Sequence, residues 1–465
     1  MNAHSDPIAP VIFGVTLILA CALIGRFAAR RLRQPSVLGE LLMGVLIGNL
    51  FYYAHFDLLA VLREGTACLE MAKLTLAGHS WAEAARAVVG PEVGPGFLAV
   101  LQGPHGGEYL QVAQAVDIFS RYGVIFLLFH VGLETCVAEL RLVGLDALRV
   151  AVIGVLCPFL LGFGVGWWLT PEAPHTQHLF LAATLGATSV GITARVLEDL
   201  RWTRSRESHV ILGAAVMDDV LGLVMLAIVS GIAVTGSFDA AGVTRTVLLA
   251  CLFIALALSL GPQVLKWLIS LLRHLDVLEA KLFISFIFVM VLAWAANLVG
   301  LATIVGAFAA GLLLLDREFA HWGDHRDHKY SIRELFAPLE AILVPIFFVL
   351  MGIQVKLETF LDWRVITLAL GLLAAAVLGK LVSGLGARGP LKRLAVGIGM
   401  MPRGEVGLVF ASIGKSLGVV DAAMFSAIVL MVIVTTLATP PLLKLVLGQN
   451  PEPAEEAGRL SKLCE

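Results

Sequence analysis

Charge is the scarcest thing in this sequence. Only 15% of its 465 residues are Asp, Glu, Lys or Arg, while 58% are hydrophobic. A soluble domain is roughly a quarter charged and about half apolar. A chain this poor in charge cannot face water on all sides, so much of its surface faces lipid. A net charge of −2 leaves no basic field for nucleic acid. Cysteine is sparse too. The six residues Cys21, Cys68, Cys136, Cys157, Cys251 and Cys464 include no C-x-x-C pair, and four fall inside apolar runs. A disulfide framework or a zinc site is therefore not expected, and these residues read as small buried hydrophobes. The opening MNAHSDPIAPVIFGV has no basic stretch before its apolar run and no small-residue cleavage site after it. That argues against a removed signal peptide. No motif asks for a cofactor, and none is expected.

Long apolar runs are what the chain has in abundance. A span needs roughly 20 apolar residues, and about thirteen runs approach that length: 8–29, 36–54, 112–138, 146–170, 178–199, 208–233, 245–271, 279–299, 301–317, 334–354, 363–386, 393–414 and 421–446. The expected fold class is an all-α integral membrane protein. Lys and Arg collect in alternate loops, as in Arg26–Arg33, Arg195–Arg206, Arg317–Arg333 and Arg388–Arg393, whereas Pro171–His178 and Gly236–Thr244 have none. The side rich in Lys and Arg is cytoplasmic. With an odd number of spans, this puts the N-terminus outside and the C-terminus inside, in the cell membrane. Residues 1–447 form the membrane domain, and 448–465 are expected to be a short cytoplasmic tail. Residues 55–111 read as an extracytoplasmic insertion. Within it Cys68–Val89 has helical periodicity but carries Glu70, Lys73, His79, Glu83 and Arg86. That suits an amphipathic helix on the membrane surface or a folded soluble loop.

Charges inside the spans are the candidate functional residues, because each costs roughly 2.5–3.5 kcal/mol to insert. Asp218 and Asp219 sit side by side in HVILGAAVMDDVLGLVMLAIVSG. Successive helical residues point about 100° apart, so one carboxylate can look into a cavity and the other at a neighbouring helix. Lys380 is the lone charge in VITLALGLLAAAVLGKLVSGLGA. A buried ammonium loses its proton or finds a carboxylate, and Asp218 or Asp219 is the natural partner. In RLAVGIGMMPRGEVGLVFASIG, Pro402 lacks an N–H and clashes with the turn before it. The helix should break near Met401–Gly404, where Arg403 and Glu405 can satisfy freed backbone groups or each other. The run LAATLGATSVGITARV has a matching weak point at Gly186, Thr188, Ser189 and Gly191. Two interrupted helices at corresponding places point to a midplane site between inverted repeats.

Several segments, in order, carry a resemblance: QPSVLGELLMGVLIG (34–48), GVIFLLFHVGLE (123–134), GATSVGITARVL (186–197), AAVMDDVLGL (214–223), VGAFAAGLLL (305–314), PIFFVLMGI (345–353) and GMMPRGEVGLVFA (399–411). Together they resemble the monovalent cation:proton antiporter-2 family, in its double-Asp Na⁺/H⁺ branch. The resemblance implies an inverted-repeat antiporter fold with two broken crossing helices, usually as a homodimer. It implies that Asp219 binds cation and proton, Asp218 pairs with Lys380, Thr188 and Ser189 offer oxygens, and Arg403 and Glu405 stabilise the second break. Asn49, where the family commonly has Pro, His130 and the 55–111 insertion depart from the pattern.

The function this points to is exchange of a monovalent cation, expected to be Na⁺ with Li⁺ and K⁺ open, for protons by alternating access. No metal beyond the transported cation is expected. The alternatives are K⁺/H⁺ exchange within the same family and an organic-anion symporter of similar architecture. An intramembrane aspartyl protease needs its two Asp on facing helices, not adjacent on one. A channel would show repeated carbonyl or carboxylate rings, and none appears. Two minor candidates are His130 as a pH sensor and His321 with His325 as a divalent-metal pair in HWGDHRDH. In both, an ordinary packing or solvated role competes.

Overall fold

The computed structural model describes residues 6, 8–32, 34, 36–64, 71, 74–76, 78–89, 94–134, 144–189, 193, 196–197, 202, 205–235, 240–271, 277–299, 303–314, 319, 330–389, 391–403 and 405–448. A few of their side chains, including those of Asp219 and Glu405, lie outside that description. Among the described residues every regular element is helical. In hydrocarbon a helix satisfies its own backbone, which is why apolar runs take this form. Among the described residues, eight helices are long and apolar enough to cross a membrane. They are α1 (Ala9–Arg31), α2 (Ser36–Tyr53), α6 (Gly106–Glu134), α7 (Gly144–Leu169), α11 (Val277–Leu298), α13 (Ile332–Ile353), α14 (Trp363–Ser383) and α17 (Ala422–Leu447). Two more, α9 (Arg206–Thr235) and α10 (Ala240–Leu271), are as long. The shorter pieces are α3 (Asp57–Arg63), α4 (Trp81–Val88), α5 (Gly94–Gln102), α8 (His175–Thr184), α12 (Thr303–Leu313), α15 (Arg393–Gly399) and α16 (Glu405–Ser416).

Two compact units emerge, and each is described by itself. The first comprises residues 1–124 and 339–361. Its helices approach through glycine. Gly44 and Gly48 of α2 lie against the backbone of α13, where a Cβ on Gly48 would stand 2.6 Å from Ile353 Cα. Such contacts carry helix association where lipid removes the hydrophobic driving force. The insertion belongs to this unit and is more helical than its sequence suggests. Cys68–Val89 is not one helix: Gly78 has φ +101, and α4 starts only after Ser80. Ser80 and Glu83 cap that start reciprocally. The small residues Ala84 and Ala85 of α4 are buried, and Gly94 of α5 lies against the Ala85–Arg86 backbone. The chain therefore covers this face itself.

Asn49 explains one departure from the family pattern. Its amide nitrogen donates to Val45 O and Val355 O at 2.8 and 2.9 Å. Its Oδ1 accepts from Arg63 Nη2 and the Leu357 N–H, both at 3.1 Å. Arg63 also donates to both oxygens of Glu358 at 2.8 and 2.7 Å and lies over the Tyr52 ring. A proline at 49 could make none of these side-chain bonds. One buried amide thus ties α2, the insertion helix α3 and the segment after α13 together.

The second unit comprises residues 125–338 and 362–465. Its central pair is α7 against α14. Gly379 of α14 rests on Pro158 of α7, where a Cβ would stand 2.6 Å from the proline ring. The His321–His328 loop lies outside the described residues, and no group of three metal-binding side chains occurs among those described.

Replacing Asn49 by Leu keeps the volume but strands the Leu357 N–H and the Val355 carbonyl. Each stranded group costs about 1–3 kcal/mol. A clear fall in thermal midpoint in detergent is expected for Asn49→Leu. Leu50→Ala, at a side chain 59% exposed, should leave the midpoint almost unchanged.

Candidate functional site

Two helices of the second unit stop at buried residues. α8 ends at Thr184, and Leu185–Ser189 continue without helix. α15 ends at Gly399, Met400–Arg403 are non-helical, and α16 begins at Glu405. Pro402 explains the second stop, since its ring cannot sit in the next helical turn. The first stop follows from Gly186 with Thr188 and Ser189, whose short side chains compete for backbone partners. Each stop leaves carbonyls with no helical donor. In a buried setting such groups must find partners elsewhere.

All of the following partners come from within the unit. Lys380 Nζ donates to Gly186 O at 2.8 Å. The Arg403 guanidinium donates to Ala187 O. Thr193 Oγ1 donates to Gly399 O at 2.8 Å, and Thr188 Oγ1 to Met400 O at 3.3 Å. The Ser189 N–H donates to Pro402 O at 2.9 Å. Thr436 Oγ1 donates to Arg403 O at 2.5 Å. The two ends are therefore treated differently. The α8 end, negative by the helix dipole, holds two cationic side chains. The α15 end is met by neutral hydroxyls and one backbone N–H.

The acidic partner is Asp218, on α9. Lys380 donates to its Oδ1 at 3.0 Å and its Oδ2 at 3.2 Å, and both side chains are fully buried. Room for the ammonium comes from Gly154 of α7, where a Cβ would stand 3.3 Å from Lys380 Nζ. Asp219 follows on the same helix with its side chain outside the described residues, as is that of Glu405. Arg403 is fully buried, and its Nε and Nη2 have no hydrogen-bond partner among the described residues.

The site is thus a buried ion pair set against two helix breaks that exchange hydrogen bonds. The transmembrane sodium/hydrogen exchanger family matches the chain over residues 16–447. The chain belongs to that family. It is 34% identical to the high-affinity Na(+)/H(+) antiporter NhaS3 of Synechocystis, covering 97% of this chain and 92% of that protein. It is 31% identical to the Na(+)/H(+)-K(+) antiporter GerN of Bacillus cereus, covering 94% and 96%. In fold it resembles the sodium proton antiporter MjNhaP1 of Methanocaldococcus jannaschii, with a TM-score of 0.61 at 17% identity, covering 96% of this chain and 98% of that one.

Sequence reasoning about this exchanger missed Thr193, Thr436 and Gly154. Thr193 carried a faint signal, one helical turn beyond Ser189 in GATSVGIT. Thr436 carried none, because it looks like any threonine in an apolar run. The breaks also use Arg403 across, not along, the chain: its guanidinium serves the other broken helix.

Removing Lys380 while keeping Asp218 leaves a buried charge without its partner, which costs about 3–5 kcal/mol. Lys380→Met should lower the thermal midpoint sharply, and Asp218→Asn added to it should recover much of the loss. No recovery in the double variant would show that Lys380 stabilises the fold through something other than Asp218.

Proposed function

We propose that this chain is a secondary antiporter that exchanges Na⁺ for H⁺ across the cell membrane by alternating access. The observation that carries the reading is the buried Lys380–Asp218 pair beside two helix breaks, with a second Asp next to it on α9. Full-length similarity to named Na(+)/H(+) antiporters supports it.

In this reading Asp219 is the exchanging carboxylate. A small hard cation wants oxygen ligands. Asp219 supplies charge, and Thr188 and Ser189 at the first break are the candidate neutral oxygens. The Thr188 proton is committed to Met400 O, which leaves that oxygen's lone pairs for a cation. In this reading proton and cation compete for that one carboxylate. Lys380 holds Asp218 while the site has no cation, and gives up a proton when cation binding draws on that charge. Two protons would then trade for one cation. The membrane potential would contribute about 2.3 kcal/mol per net charge per 100 mV. Arg403 keeps the α8 carbonyl end occupied by a fixed cation, so that end does not compete as a ligand. Glu405 stabilises the start of α16, where a carboxylate suits the positive end of the helix. The working form is a homodimer, with the N-terminus outside, the C-terminus in the cytoplasm and the 55–111 insertion extracytoplasmic.

In proteoliposomes holding a preset pH gradient, Na⁺ or Li⁺ should collapse the gradient, and Asp219→Asn should abolish the response. Full activity in Asp219→Asn would remove the central assignment. A response to K⁺ alone would keep the exchange and change the ion, a reading favoured by the Na(+)/H(+)-K(+) antiporter among the relatives. The topology has its own check. Cysteines placed by Gly418→Cys and Gly389→Cys in an otherwise cysteine-free chain should react with impermeant maleimide from outside and inside respectively. The opposite pattern would invert the topology.

A further inference from the structure

The hydroxyl that serves the second break comes from a third helix, and it behaves unlike its neighbours. α17 carries Thr435, Thr436 and Thr439, all buried. Thr435 gives its hydroxyl to Met431 O at 2.9 Å, and Thr439 gives its own to Thr435 O at 2.8 Å. These are the carbonyls one turn back on the same helix, the usual resting partners of a threonine in an apolar helix. Thr436 Oγ1 instead leaves α17 and donates to Arg403 O at 2.5 Å.

The acceptor is in a special position. Arg403 lies in the non-helical stretch after Pro402, and among the described residues no backbone N–H donates to its carbonyl. A buried carbonyl left without a donor carries its full desolvation penalty. The same residue sends its guanidinium to Ala187 O at the other break. The bond from α17 restrains the backbone at Arg403, the same residue from which the guanidinium reaches Ala187 O. One hydroxyl on α17 thereby holds the residue that joins the two breaks. If it lets go, the Arg403 peptide is free to turn and the cation on the α8 end loses its aim. The field at the neighbouring carboxylates would change with it.

We propose that Thr436 is a positioning residue for the exchange: by holding the Arg403 carbonyl it keeps the guanidinium on Ala187 and so sets the affinity of the crossing for its cation. The proposal rests on the antiporter reading above. It assigns Thr436 no direct contact with the ion.

The test is Na⁺-dependent proton movement in proteoliposomes, read as apparent KM and maximal rate separately. Thr436→Val keeps the shape and removes the donor. It should raise the KM for Na⁺ about tenfold while the maximal rate stays within about twofold. Thr436→Ser, which restores the hydroxyl, should return the KM to the wild-type value. Thr435→Val removes an equally buried hydroxyl bonded only within α17 and should leave the KM unchanged. A wild-type KM in Thr436→Val overturns the proposal, as does an equal rise in Thr435→Val. Should Thr436→Val fail to accumulate, Thr436→Cys keeps the size with a weaker donor and should show an intermediate KM; a wild-type KM there overturns the proposal as well. A wild-type protein that moves no protons with any monovalent cation would instead remove the antiporter reading itself. Active wild type with an unaltered Thr436→Val removes only the role of Thr436.

Discussion

Backbone carbonyls cannot be left bare inside a membrane protein, and this one has two helices that end where no water is guaranteed. Almost everything notable in the second unit answers that constraint. Lys380 and Arg403 cover Gly186 and Ala187, while Thr193, Thr188, the Ser189 N–H and Thr436 cover the opposite end. The ammonium that covers Gly186 is also the counter-charge of Asp218. Fold and ion chemistry therefore share one side chain. The ion pair and the cover of a helix end are thus tied through one ammonium.

The first unit uses buried polarity differently. Its hub is neutral: one asparagine amide with every polar atom engaged, supporting an arginine whose charge goes to Glu358. A satisfied amide in a dry interior specifies one arrangement without offering a proton to exchange. The second unit keeps a fully buried Lys–Asp pair, which is a weak source of stability because both charges must be taken out of water. A protein gains from such a pair mainly when the charges have work to do.

Much of this was readable in advance, for reasons of cost. A lysine among Ala, Val and Leu, two aspartates in an apolar run and a proline in mid-span each carry a penalty of several kcal/mol, so their presence in the sequence is itself a signal. The second helix stop lies where Pro402 foretells it. What was not readable lacks such a penalty. A threonine is cheap in an apolar helix, so nothing distinguishes Thr436, which reaches across, from Thr435, which bonds back. The target of Arg403 was hidden because it lies on the other broken helix, more than two hundred positions away. The insertion had two readings, because small residues alternating with charged ones suit a surface helix and a folded loop equally.

The central claim is that proton and cation compete for one carboxylate next to the Lys380–Asp218 pair. The most direct test is the apparent KM for Na⁺ as a function of pH, from transport currents on wild-type proteoliposomes. Competition predicts a KM that rises toward about tenfold per pH unit below the pKa of the site, with an unchanged maximal current once Na⁺ saturates. A KM independent of pH, with only the maximal current titrating, would contradict the account: cation and proton would then bind at separate places.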